Sequence, residues 1–128
     1  MATNSASLST INVVRRSSAK ISVANANRDG TGAVVPLFSA AGANGSRLDA
    51  IQIKAQGTTT AGTIRLYLNG VLFDEVSVPA TILNPIFSPT WAAVYVPPTT
   101  YNLAGPDVIS ASTVNGEQFN LCAFGWDY

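Results

Sequence analysis

Few residues of this chain could carry out chemistry, and histidine is not among them. The sequence of 128 residues contains no histidine and a single cysteine, Cys122. Without an imidazole, neither a Ser-His-Asp or Cys-His nucleophile nor a two-histidine metal site can be built. Ser17 and Lys20 have the spacing of the Ser-x-x-Lys acyl enzymes, but the companion Ser-Asp-Asn and Lys-Thr-Gly motifs are absent. We therefore expect that the protein is not an enzyme and has no catalytic residues.

Oxygen-bearing side chains offer two further candidate sites. Asp74 and Glu75 are adjacent on a predicted strand, so their carboxylates point to opposite faces and cannot form the pair that a glycosidase needs. Asn25, Asn27 and Asp29 alternate as in the first part of an EF-hand calcium loop, but no closing glutamate follows. The same spacing is typical of Asx turns, in which these side chains bond to nearby backbone. We expect neither a metal nor a cofactor.

The low charge content indicates more about function than these motifs do. Charged residues make up 11% of the sequence and hydrophobic residues 47%, whereas an ordinary soluble domain has about 25% charged residues. A domain of this size has a large surface for its volume and normally covers it with charged side chains. Either Ser, Thr, Asn and Gly cover this surface, or much of it faces other protein. The second interpretation predicts a subunit of a larger assembly.

The charges that are present divide unevenly along the chain. Residues 1–20 contain three basic residues and no acidic one, whereas residues 21–128 contain four basic and seven acidic residues. The basic segment could pair with a neighbouring copy, or it could be a solvated tail. Three charges do not indicate nucleic-acid binding. We also expect no membrane partner and folding in the cytoplasm, because the sequence shows neither an apolar run of roughly 20 residues nor a secretory signal.

The hydrophobic pattern has a period of two, which predicts β-strands. Residues 63–68 alternate between aliphatic side chains and Thr, Arg or Tyr, and Asn69-Gly70 follows them. A second Asn-Gly pair, Asn115-Gly116, again lies between alternating runs. This dipeptide predicts a type I′ hairpin because both of its residues must adopt a positive φ. Two antiparallel hairpins are therefore expected.

About eight short strands are predicted, with almost no helical pattern. They cover residues 19–24, 33–38, 47–55, 63–68, 71–78, 91–96, 108–114 and 117–126. Pro36 restricts the second strand to a sheet edge or a bulge. The pattern predicts an all-β fold, an antiparallel and jelly-roll-like β-sandwich. We expect residues 1–18 to form an extended amino-terminal arm and residues 19–128 to form one domain.

Aromatic residues are the remaining candidates for binding. Residues 119–128 carry large side chains on both faces of the predicted strand, so this strand lies centrally in the fold or against a partner. Trp91 and Tyr95 share one strand face, and Trp126 and Tyr128 stand near the end of the chain. These four rings either pack in the core and in a subunit interface, or form a stacking platform for sugars. Packing is the favoured interpretation.

The arm supplies a second set of predicted contacts. Ile11, Val13 and Val14 could add as a strand to the sheet edge of a neighbouring subunit. Arg15 and Arg16 are the predicted polar anchors of that contact.

The composition and pattern of the predicted strands, which are rich in Val, Ala, Thr and Gly, resemble those of small virion proteins of tailed bacteriophages. The likeness is carried by residues 62–70 (GTIRLYLNG) and by the close of the chain, residues 111–113 and 119–128 (FNLCAFGWDY). It extends over most of residues 19–128 but includes no diagnostic motif. Among such proteins the chain is most similar to decoration, or cement, proteins, which are small β-sandwiches on the outside of a capsid.

This resemblance implies a structural function at the capsid surface. The implied partners are the major capsid protein or other virion subunits, and no catalytic residue carries over. The resemblance also implies a homo-oligomer, with a trimer favoured over a dimer. A tail or baseplate subunit is an alternative within the same class. A carbohydrate-binding module for receptor recognition is the alternative from a different class.

Overall fold

The structure is a computed structural model that describes residues 13–82, 89–98 and 101–128. Its strands, in chain order, are β1 (Val13–Ile21), β2 (Val35–Ser39), β3 (Ser46–Ala55), β4 (Gly62–Leu68), β5 (Val71–Val78), β6 (Ala92–Tyr95), β7 (Tyr101–Leu103), β8 (Val108–Thr113) and β9 (Phe119–Asp127). Within those three segments, no helix is long and apolar enough to cross a membrane. Each predicted strand overlaps an observed one, and β7 is additional.

The strands form two antiparallel sheets. Sheet A has the order β1-β9-β3-β6, with β7 also paired to β3, and sheet B has the order β2-β8-β4-β5. The apolar faces of the sheets enclose the buried core residues Ile21, Leu37, Phe38, Leu48, Ile51, Ile53, Ala55, Ile64, Leu66, Val78, Leu103, Ile109, Ala111, Phe119, Leu121 and Ala123. The predicted all-β antiparallel sandwich is confirmed.

Strand β9 shows how the alternating pattern produces the two faces of sheet A. Successive side chains of a strand point to opposite sides, and on β9 Phe119, Leu121 and Ala123 are buried while the residues between them are half-exposed. The strand lies between β1 and β3. The strand is thus an inner strand of sheet A, one of the two predicted positions, but only one of its sides is buried, and its second set of large side chains faces away from the core.

The first predicted hairpin is present. Strands β4 and β5 pair antiparallel, and Leu68 and Val71 are opposite each other across the turn. Asn69 has a φ of 52° and Gly70 a φ of 81°, as a type I′ turn requires.

The second predicted hairpin is wrong. Strand β8 lies in sheet B and β9 in sheet A, so Asn115 and Gly116 belong to a connection that crosses between the sheets. The side-chain amide of Asn115 donates to the carbonyl of Ala61 at 3.1 Å and to the hydroxyl of Thr60 at 2.9 Å. Gly116 is absent from the residues with positive φ in the described part of the chain. Asn115 therefore stabilises the loop that contains Thr60 and Ala61 through these side-chain hydrogen bonds.

The boundary of the predicted arm also needs correction. Residues 13–18 are part of β1, which pairs with β9 from Val13 opposite Asp127 to Ile21 opposite Phe119. Residues 1–12, including Ile11, lie outside the described residues. The prediction missed this half of β1 because Arg15 faces inward, where its guanidinium pairs with Asp127 at 3.0 Å.

Strand β2 behaves as its proline predicts. It forms one edge of sheet B, and its register with β8 shifts between Pro36 and Phe38. A proline has no N–H to donate, so an edge or a bulge is where a sheet tolerates it.

Candidate functional site

The candidate site is the outer face of sheet A, the face turned away from the core. It consists of Val14, Arg16, Ser18 and Lys20 on β1, Asn120, Cys122, Phe124 and Trp126 on β9, Arg47, Asp49, Ala50, Gln52 and Lys54 on β3, and Ala92 and Val94 on β6. The strand register arranges these side chains in rows that cross the sheet. One end of this face, the aromatic end, has the rings of Phe124 and Trp126, with Arg16, Arg47 and Asp49 beside them. The other end, the basic end, has Lys20 and Lys54 on either side of Asn120.

The aromatic end is built around two rings of β9. Phe124 and Trp126 are half-exposed on this central strand, and Val14 beside them is 64% exposed. The indole N–H of Trp126 donates to the carboxylate of Asp49 at 2.6 Å, and the guanidinium of Arg47 lies 5.9 Å from the Trp126 ring centre. These contacts fix the indole while leaving part of its surface open.

The basic end lies over the other half of β1, β9 and β3. Lys20 and Lys54 both stand opposite Asn120, one on each side of it. They border a shallow depression of about 760 Å³ that Gln52 and Cys122 also line. The amide of Asn120 is oriented by its neighbours, since its nitrogen donates to Gln56 at 2.9 Å.

The outer face of sheet B, by contrast, is covered by the chain itself. Residues 22–34 fold over it, and beneath them Arg65 is 6% exposed and Tyr67 fully buried. The Tyr67 hydroxyl donates to the carbonyl of Asn27 at 3.1 Å. The guanidinium of Arg65 donates to the carbonyls of Asn25 at 3.3 Å and Asn27 at 3.1 Å. This covering leaves sheet A as the open side of the sandwich.

The calcium-like spacing belongs to that covering loop and forms Asx turns. Asn25 accepts from the backbone N–H of Asn27 at 2.9 Å, and Asp29 accepts from the N–H of Thr31 at 3.0 Å. The hydrogen bonds from the hydroxyl and N–H of Thr31 hold the pKa of Asp29 below its ordinary value. Carbonyls that could face a cation instead accept from Arg65. The described residues contain no group of three or more His, Cys, Asp or Glu side chains that could hold a metal ion.

Trp91 and Tyr95 pack within the molecule and do not form the surface platform that the alternative of sugar stacking requires. Trp91 packs edge-on against the buried ring of Phe119, with ring centres 6.1 Å apart. Tyr95 packs edge-on against Phe73 and donates from its hydroxyl to Asp74 at 2.6 Å. Burial and this carboxylate raise the pKa of Tyr95 above its ordinary value. Trp91 immediately precedes β6 and Tyr95 is its last residue, and both rings pack against the core.

The other two predicted rings lie elsewhere. Trp126 is on the outer face of sheet A, and Tyr128 is half-buried beside the edge of that sheet, where its hydroxyl donates to Asn102. The structure therefore does not bring the four aromatics together.

The predicted arm contacts are also divided. Val13 and Val14 are 53% and 64% exposed. Arg16 lies on the outer face of sheet A, opposite Phe124. Arg15 is used within the molecule, since it pairs with Asp127 and its guanidinium lies 4.5 Å from the ring centre of Phe38.

The two candidate catalytic pairs do not assemble. Ser17 and Lys20 point to opposite sides of β1, because they are an odd number of residues apart on a strand. Asp74 accepts from Tyr95, whereas Glu75 pairs with Arg65 at 3.0 Å.

A scan against protein-family models finds no match for this chain, and a search of the curated proteins finds none either. The open outer face of sheet A is thus the feature on which a functional argument can be built.

Proposed function

We propose that the protein is a structural subunit of a bacteriophage virion, a decoration protein that binds the outside of the capsid and stabilises the shell. The observation that carries the proposal is the outer face of sheet A. Its central strand presents Phe124, Trp126 and Cys122 half-exposed, while the opposite side of the sandwich is covered by residues 22–34. Apolar side chains grouped on an open face are typical of protein contact surfaces.

The order of the strands supports the same proposal. The connections β4–β5 and β6–β7 stay within one sheet, and every other connection between consecutive strands crosses from one sheet to the other. We interpret this interleaving as jelly-roll-like, an architecture found in viral capsid proteins and in lectins. Because one fold serves many functions, the step to a virion rests on the resemblance in residues 62–70, 111–113 and 119–128.

Sugar recognition is less well supported. Trp91 and Tyr95 face the core, so a stacking platform would have to use Phe124 and Trp126 instead. Binding to a glycan array that is lost in Trp126→Ala, with particle association unchanged, would favour this alternative.

The proposal is tested on particles of the phage that encodes the chain. We expect particles that lack the protein to release DNA at a lower temperature, and the purified chain to bind them and restore resistance by mass action. Phe124→Ala should reduce both binding and restoration, because it removes an apolar contact from the docking face. Val71→Ala is the matched control, since Val71 is 68% exposed on sheet B. Equal heat resistance with and without the chain would contradict the proposal.

A further inference from the structure

We propose that the basic end of the outer face of sheet A, formed by Lys20, Asn120 and Lys54, binds a carboxylate-rich segment of the polypeptide on which the protein docks. The inference rests on the proposed function, because it gives the chemistry of the partner at that same face.

The distribution of ion pairs points to this surface. Among the described residues, Arg15, Arg28, Arg47 and Arg65 each pair with a carboxylate. The three cations left without one are Arg16, Lys20 and Lys54, and all three lie on the outer face of sheet A. The ammonium of Lys54 donates to the backbone carbonyl of Thr90 at 2.9 Å, a neutral acceptor that leaves its charge without a counter-ion. Unpaired charges gathered on one face favour a partner of opposite charge.

Apart from that of Asp49, the carboxylates of the chain do not belong to the side chains of this face. Asp29, Asp107 and Glu117 lie in loops, and Asp74 lies on β5 of sheet B. Asp49 does lie on the outer face, but Arg47 pairs with it at 2.9 Å. The described part of the molecule therefore leaves the charge of the two lysines to be balanced from outside.

The row geometry suits side-chain carboxylates of an extended segment. Lys20 and Lys54 stand on either side of Asn120, so their Cα atoms are two strand spacings apart, roughly 9 to 10 Å. Two acidic residues at alternate positions of an extended chain are about 6.6 Å apart on one face. The exposed side chain of Lys20 can move to close that difference, while Lys54 is held by Thr90. The amide of Asn120 between the lysines and that of Gln52 in the next row add hydrogen-bonding groups.

A polypeptide fits the whole face better than a free anion does. Cys122, which stands opposite Gln52, lines the depression. Phe124 of the aromatic end lies two residues further along β9, on the same face of the sheet. A peptide can place carboxylates on the lysines and apolar side chains on the aromatic end. Three cations are too few for the many phosphate contacts that nucleic-acid binding normally uses.

The test uses the full chain and an octaglutamate peptide, with octaglutamine as the uncharged comparison. At low ionic strength we expect octaglutamate to shift backbone amide resonances of β1, β9 and β3, and added salt to weaken the binding. Lys20→Glu and Lys54→Glu should each raise the Kd about fivefold, as charge reversal at a solvent-accessible site allows. Arg28→Glu is the matched control because Arg28 is exposed on the loop over sheet B, and its Kd should not change.

Several results would overturn the inference. They are no binding of octaglutamate to the unmodified chain, equal affinity in both lysine variants, and an equal loss in Arg28→Glu. Binding of oligogalacturonate without binding of octaglutamate would assign the site to an acidic glycan instead. Particle association that survives both lysine substitutions contradicts this inference alone, whereas a chain that never associates with particles contradicts the proposed function. Lys20 has no hydrogen-bond or ion-pair partner among the described residues, so Lys20→Glu leaves the fold intact and keeps the test valid.

Discussion

Tyr95 shows how a residue that looks suited to ligand binding can instead be structural. Its ring packs edge-on against Phe73, whose ring centre lies 6.5 Å away, and its hydroxyl donates to Asp74 at 2.6 Å. Asp74 has no cationic partner in the described part of the chain, so this phenol is its main source of stabilisation outside the backbone. The hydrogen bond joins β6 of sheet A to β5 of sheet B across the edge of the sandwich.

Replacing Tyr95 with Phe should therefore destabilise the fold. We expect Tyr95→Phe to lower the free energy of unfolding by about 1–2 kcal/mol, because a hydrogen bond to a charged acceptor is lost while the ring packing is retained. Urea denaturation followed by tryptophan fluorescence measures the change.

The same variant should alter the response to alkaline pH. Since the folded-state pKa of Tyr95 is raised, its contribution to stability is complete below its ordinary pKa of 10.0 and is lost as the pH rises from there through the folded-state pKa. In Tyr95→Phe this part of the alkaline decline should disappear. An identical decline in both proteins would show that Tyr95 is not its source.

At the scale of elements, identical dipeptides have different structural roles. Asn69-Gly70 closes a hairpin within sheet B, whereas Asn115-Gly116 lies in a crossing between sheets. The backbone differs at the two glycines. Gly70 has a φ of 81°, in a region that most other residues avoid, whereas Gly116 is not among the described residues with a positive φ.

Alanine substitutions at the two glycines make a matched comparison. Gly70→Ala should lower the free energy of unfolding by about 1 kcal/mol through backbone strain alone, because an added Cβ would meet no atom within 4 Å. Gly116→Ala should be close to neutral, since the nearest atom to its added Cβ is 3.8 Å away and its φ is ordinary. Equal losses in urea denaturation would contradict the distinction between the two turns.

Local patterns predicted where strands lie but not which strands pair. The alternation in residues 63–68 and the Asn-Gly turn after it are complete within the segment, so β4 and β5 could be predicted. The sheet to which β8 or β9 belongs depends on contacts with strands distant in sequence, and Asn115-Gly116 between them carries no information about those contacts. Strand β7 was missed because its three residues are too short to show a period.

The same reason explains what was missed at the candidate site. The large outward residues of β9 were recognised, but the row of Lys20, Asn120 and Lys54 exists only through the register of three strands. The burial of Arg65 and Tyr67 was likewise hidden, since it depends on a loop some 40 residues earlier in the chain.

Across the whole molecule, the two sides of the sandwich are unequal, and β1 contributes to the open side. This strand forms the edge of sheet A and pairs along its whole length with β9. Arg15 adds an ion pair to Asp127 and a cation–π contact with Phe38 of the other sheet. Residues 13–18 therefore belong to the folded body, although their charge and position suggested an arm.

Two truncated proteins test whether residues 13–18 stabilise the folded domain. Deleting residues 1–18 should lower the free energy of unfolding by about 3 kcal/mol or more relative to deleting residues 1–12, because several strand hydrogen bonds and both Arg15 contacts are lost together. Urea denaturation of the two truncated proteins gives the difference, and the shorter deletion is the control for everything before β1. Equal stability would mean that residues 13–18 do not hold the edge of sheet A. The longer deletion should also abolish particle binding, because it removes Val14 and Arg16 from the docking face and leaves the edge of β9 unpaired.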